Sequence, residues 1–170
     1  MIRIAVCDDD FPTTELIERL ILETQRNFTR KIEVSIFYSG ESFTKAIQEA
    51  CAFDIIFMDI EMADMDGIKA GYVLRGNDEN DLVQLIYVSS HDEYHLQLFD
   101  VQPSGFIKKP IDSEIFKHKL ISTIDKVIRK LQQGKKKLLI TTAKRKRNSN
   151  PLSKYHLSGK QPAENYSLFL

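Results

Sequence analysis

The sequence predicts an α/β fold: a doubly wound, five-stranded parallel sheet flanked by five helices. Three observations lead there. Short apolar segments alternate five times with helical ones, the connections between them are short, and the charged residues cluster where the apolar segments end. Strands that are apolar at nearly every position suit a parallel sheet covered on both faces.

The first strand is IRIAVC (2–7), stopped by Asp8, Asp9 and Asp10. Pro12 opens the first helix, where its fixed φ and missing N–H are tolerated. Leu16, Ile17, Leu20, Ile21 and Phe28 then fall near helical spacing. Glu15, Glu18, Arg19, Glu23 and Arg26 take the other face, so one side should pack on the sheet. IEVSIF (32–37) is the second strand, 41–50 the second helix, DIIFMD (54–59) the third strand and 67–75 the third helix. LVQLIYV (82–88) is the fourth strand, 93–100 the fourth helix, GFIK (105–108) the fifth strand, and 111–131 a long final helix.

The 170 residues suffice for one domain and a small appendage. No apolar run approaches the roughly 20 residues that span a bilayer, and the first strand starts at Ile2 without a basic leader, so a cytoplasmic protein without membrane insertion is expected. Cys7 and Cys51 lack a CxxC or Cys/His spacing and read as reduced core thiols. The net charge of zero conceals two unlike parts: residues 1–131 carry 15 Lys and Arg against 23 Asp and Glu, net −8, and residues 132–170 carry 9 against 1, net +8.

Sheets of this class place their functional crevice at the carboxyl ends of the strands. Asp8 and Asp9, Asp59, Ser89, and Lys109 before Pro110 stand at four of those ends. Three crowded carboxylates repel one another, and a hard divalent cation such as Mg2+ relieves that repulsion with oxygen ligands. Lys109 offers a compact positive charge for phosphoryl oxygens, and the Ser89 hydroxyl can donate to another. The set fits a carboxylate nucleophile that receives a phosphoryl group. Plainer roles suit the neighbours: Asp10 as a helix cap, Lys108 as a surface residue facing away from Lys109, and His91, His95 and His118 as surface residues without metal-ligand spacing.

Through Asp8-Asp9, Asp59, Val88 to Ser90 and Lys109-Pro110, residues 1–131 resemble the response-regulator receiver family of CheY-like domains. DIEMADMDGI (59–68) and HDEYHLQLFD (91–100) are most similar to its LytR/AgrA branch, whose members usually join a receiver to a LytTR DNA-binding domain. The resemblance implies that Asp59 takes phosphate from a sensor histidine kinase and that Asp9 and Asp59 ligate Mg2+. Asp8 would assist through water, and the Glu61 backbone carbonyl would complete the protein ligands. Lys109 and Ser89 would hold the phosphoryl oxygens, Phe106 would be the aromatic switch partner of Ser89, and Lys109-Pro110 would be a cis peptide. It further implies a homodimer through the face formed by the fourth helix, fifth strand and final helix. Ala63 and Asp64 depart from the family's usual Pro and Gly after the acceptor, and Ser89 replaces its common Thr.

A domain boundary is expected near 131. Residues 132–170 read as a basic linker and a disordered, truncated remnant of a LytTR domain, with ancestral DNA binding doubtful here. From Lys146 onward, permitted codons read one nucleotide later can encode KEIQIPYQNIIYLESNQRKII, a string with strand periodicity, so a frameshift is one account of the tail. The expected role is a signalling switch that ancestrally controls transcription, not an enzyme. The alternative is a Mg2+-dependent phosphatase of the haloacid dehalogenase type, which Asp8 and Asp10 would serve as a DxD pair.

Overall fold

The computed structural model describes residues 1–49, 52–63, 65–76, 80, 82–90 and 100–148, with side chains as far as Gln133. The elements are β1 (Ile2–Cys7), α1 (Phe11–Thr24) with a 3-10 turn at Gln25–Asn27, β2 (Ile32–Phe37), α2 (Gly40–Gln48), β3 (Ile55–Asp59), α3 (Gly67–Arg75), β4 (Gln84–Ser89), β5 (Gly105–Lys108) and α4 (Ser113–Asn148). The strands form one sheet of order β2-β1-β3-β4-β5, every pair parallel. Strand order reverses around β1, so a crevice opens at the carboxyl ends of β1 and β3.

Alternation along the strands sends successive side chains to opposite faces. Ile2, Ile4 and Val6 of β1 join Phe57 and Ile86 under Ile17 and Leu20 of α1 and Phe116, Leu120 and Ile124 of α4. Ala5 and Cys7 join Met58, Leu85 and Tyr87 under Phe43 of α2 and Ile68, Ala70 and Leu74 of α3. Each fully buried large apolar side chain contributes about 1.5–3 kcal/mol. The Phe57 and Phe116 rings lie 4.9 Å apart and tie the middle of the sheet to α4.

Each helix starts on a residue able to satisfy its unpaired N–H groups. Asp10 accepts from Thr13 N at 3.1 Å, Ser39 from Ser42 N at 3.2 Å, and Asp66 from Lys69 N at 2.8 Å. Asp112 accepts from Glu114 N and Ile115 N, both at 2.9 Å. Such caps are worth about 1 kcal/mol each.

Several ends differ from expectation by a residue or two, as at α2 (expected 41–50) and β3 (expected 54–59), and those of β4 and the final helix have a visible cause. Val83 N donates to Asn80 O at 3.0 Å in a turn, so the fourth strand starts at Gln84, two residues beyond Leu82, and runs on through Ser89. The final helix starts at Ser113, not Ile111, because Asp112 caps it. It continues past Leu131 to Asn148, because Gly134 costs only about 1 kcal/mol in a helix and removes no hydrogen bond. The chain divides into two units, Met1–Lys130 and Leu131–Leu170. The expected fourth helix at 93–100, Cys51, Asp64, His91, His95 and the tail beyond 148 fall on residues outside the described set, Asp100 excepted. No helix among the described residues is long and apolar enough to cross a membrane.

Candidate functional site

Parallel pairing brings four strand ends to one rim. Cys7 sits opposite Met58, Asp59 opposite Val88, and Ser89 opposite Lys108, so Asp8 and Asp9, Asp59, Ser89 and Lys109 all emerge on the same edge. Lys109 N donates to Ser89 O at 2.9 Å, joining the ends of β4 and β5. The Lys109-Pro110 peptide is cis, as the resemblance implied.

The Lys109 ammonium donates to Asp59 Oδ2 at 2.6 Å and lies 2.9 Å from Asp8 Oδ2. Asp8 and Asp59 are 1% and 5% exposed, while Asp9 is open to solvent, and one carboxylate oxygen from each of the three lies within 4.8 Å of the others. Backbone groups orient these acids. Asp8 Oδ1 accepts from Asp10 N at 2.9 Å, Asp9 Oδ2 from Ala63 N at 3.1 Å, and Asp59 Oδ1 from Glu61 N at 3.3 Å.

Burial holds the pKa values of Asp8 and Asp59 above the ordinary carboxylate range, and the hydrogen bonding and charge of Lys109 only partly oppose it. Burial acts to lower the Lys109 pKa, but bonding to Asp59 and Asp8 outweighs it and the ammonium is strengthened. Beside them, burial and then the charges of Asp8, Asp59 and Asp9 push the Cys7 thiol up to about 12. The thiol is therefore a core group, 0% exposed, and not a nucleophile.

Three carboxylates against one ammonium leave the cluster with an excess of negative charge. Asp8 Oδ2 is the buried side-chain oxygen among the described residues that lacks a hydrogen bond, its contact with Lys109 being ionic but poorly directed. A cluster of anionic oxygens, one of them held only by an ion pair, suits a small hard dication.

The remaining expected residues divide. Ser89 is fully buried at the end of β4, Glu61 is exposed two residues after Asp59, and Phe106 is half-buried in β5 against the cluster that includes Tyr87 and Met58. Lys108 and His118 are exposed. Asp10 Oδ2 accepts from Thr13 N and, at 2.6 Å, from Thr13 Oγ1, so its side chain caps α1, the plainer role expected for it. Two connections had no sequence expectation: the Ala63 N–H on Asp9, and the Tyr87 hydroxyl, which donates to Gly67 O at 3.1 Å. A tyrosine inside an otherwise apolar strand was the available signal for the second, because a buried phenol needs a partner.

The response regulator receiver domain family matches residues 4–121. The chain is 25% identical over 128 residues to the sensory transduction protein LytT of Bacillus cereus, covering 74% of this chain and 47% of that protein. It is 33% identical over 58 residues to the transcriptional regulatory protein LytR of Staphylococcus aureus, covering 34% of this chain and 23% of that one. The chain thus spans about half the length, or less, of these curated relatives. Among solved structures, Vibrio cholerae CheY4 superposes with a TM-score of 0.60 at 19% identity, covering 75% of this chain and 98% of that one. The receiver domain of sensor histidine kinase PA1611 from Pseudomonas aeruginosa, with a magnesium ion coordinated in its active-site cleft, gives 0.62 at 17% identity, covering 72% and 97%.

Proposed function

The chain belongs to the response regulator receiver family, and on that premise we propose that Asp59 is its phosphoacceptor in two-component signalling. One observation carries the assignment: Lys109 Nζ bridges Asp59 and Asp8 with Asp9 alongside, at the rim where the strands end. The phosphoryl donor is a phosphohistidine of a sensor histidine kinase. An Asp59 carboxylate oxygen forms the new P–O bond, the P–N bond breaks, and the imidazole leaves with its electron pair.

Asp8, Asp9 and Asp59, with the Glu61 carbonyl, are the groups that would hold Mg2+, which supplies charge neutralisation on the transferring phosphoryl. Lys109 holds one phosphoryl oxygen and the Ser89 hydroxyl donates to another. Catalysis is then mainly positioning and electrostatics. Once the phosphoryl is attached, Ser89 is drawn toward it and Phe106 turns into the space released, the phosphoryl favouring one of two packings of the β4–β5 side. The same reading assigns homodimerisation to a face that includes β5 and the first turns of α4, and transcriptional control to the longer regulators the chain is similar to. It makes the chain a cytoplasmic switch and not an enzyme with multiple turnover.

Incubating the chain with acetyl phosphate and Mg2+ should yield a stoichiometric, alkali-labile acyl phosphate, seen by mass spectrometry. Asp59→Asn or chelation of the metal should abolish it. A label that survives in Asp59→Asn would move the acceptor to another residue, and repeated turnover of phosphate esters that depends on Asp8 would replace this reading with a hydrolase.

A further inference from the structure

We propose that Tyr87 is a positioning residue for the site: its buried hydroxyl holds the loop between Asp59 and α3, and through it sets where the groups around Asp59 and Asp9 stand. The inference rests on the reading of Asp59 as phosphoacceptor.

Tyr87 is fully buried in β4, and its Oη donates to the carbonyl of Gly67, the first residue of α3, at 3.1 Å. Gly67 N in turn donates to Ile60 O at 2.9 Å. Gly67 is therefore tied from two sides, to Ile60 and to Tyr87. The loop between Asp59 and α3 supplies the Ala63 N–H that meets Asp9 and the Glu61 N–H that meets Asp59. A displacement of Gly67 is passed to both acids.

The packing is arranged around the hydroxyl. A Cβ on Gly71, one turn along α3, would strike Tyr87 Oη and stand 2.9 Å from Val101 Cγ1. A Cβ on Gly67 would strike the Asp59 carbonyl oxygen. Two glycines four residues apart thus let α3 lie against the acceptor strand and leave a passage for the phenol. By strand alternation Tyr87 shares a sheet face with Ser89, so one strand presents both hydroxyls to the region behind Asp59. Phenylalanine would fill the same apolar space, so what the hydroxyl adds is the tether.

The test is Tyr87→Phe in the full chain, compared with Leu120→Ala, which weakens the core on the opposite sheet face. Tyr87→Phe is expected to weaken Mg2+ binding, measured calorimetrically, about fivefold and to slow acyl phosphate formation at sub-saturating Mg2+ by a similar factor, the scale of one neutral hydrogen bond. Exchange of the Gly67 amide should accelerate. Leu120→Ala should change none of the three. Gly71→Ala should reproduce Tyr87→Phe, and combining the two should add little, because the new methyl occupies the space of the missing hydroxyl. Tyr87→Phe with wild-type metal affinity and rate would overturn the inference and leave the phosphoacceptor reading standing. A wild-type chain that takes neither Mg2+ nor phosphoryl would overturn both, since positioning presupposes that chemistry. If Tyr87→Phe fails to fold, Gly71→Ala decides by the same readouts.

Discussion

Asp8 and Asp59 are acids that the fold buries before anything neutralises them fully, and pH reveals the cost. Their folded pKa values lie above the ordinary carboxylate range because burial outweighs Lys109. A folded chain with a raised pKa keeps its proton where the unfolded chain has lost it. The stability from that group is complete below the unfolded value and is lost as pH rises through the folded value. Ionising Asp8 in the folded chain therefore carries a penalty. Asp8→Asn keeps an oxygen for Asp10 N and removes the charge, while Lys109 retains Asp59. Its metal-free unfolding temperature should exceed wild type by a few degrees at neutral pH, about 1 kcal/mol, and the gain should shrink as pH falls toward the ordinary carboxylate range. Saturating Mg2+ should reverse the order, because it stabilises the wild-type cluster more. An Asp8→Asn chain less stable than wild type in neutral chelating buffer would contradict this account. The acids and Lys109 were legible in the sequence because charge at the end of an apolar strand is conspicuous. The Ala63 N–H on Asp9 was not, because a backbone donor has no residue type and leaves no spacing to read.

Among the elements, α3 is tightly constrained, since its first residue sits directly against the end of β3. Gly67→Ala would force the Asp59 carbonyl away and is expected to destabilise the chain by about 1–3 kcal/mol. Gly76→Ala is the matched control. A Cβ there would stand 3.5 Å from the carbonyls of Tyr72 and Val73, an ordinary contact, so its effect should be small. Thermal melts of the two variants decide: equal melting temperatures would mean that α3 shifts freely and that Gly67 is not a contact point. Strand and helix identities were readable because apolar spacing separates a period of two from one near 3.6. Ends were less so. The start of β4 depends on the turn closed by Asn80 O and Val83 N, and the start of α4 on the side chain of Asp112, which are competitions among hydrogen bonds and not of periodicity.

For the whole molecule, the alternation of elements implied a parallel sheet but not which strand lies beside which. That order follows from the pairing of β1 with both β2 and β3, a long-range choice that composition does not record. Both core clusters are assembled from residues up to Ile128, inside the Met1–Lys130 unit. A chain ending at Leu131 removes no member of either cluster, so it should melt within about 2 °C of the full chain and take phosphoryl on Asp59 at the same rate. Its charge changes sharply, from zero to −8, because the 39 residues removed carry 9 Lys and Arg and a single acid. Binding to a polyanion such as heparin should therefore belong to the full chain alone and weaken steeply with salt, in the manner of counterion release. Retention of the 1–131 chain on heparin would place the polyanion contact on the acidic unit, which this distribution of charge forbids. A drop in melting temperature of ten degrees or so would show that residues beyond 131 complete the core.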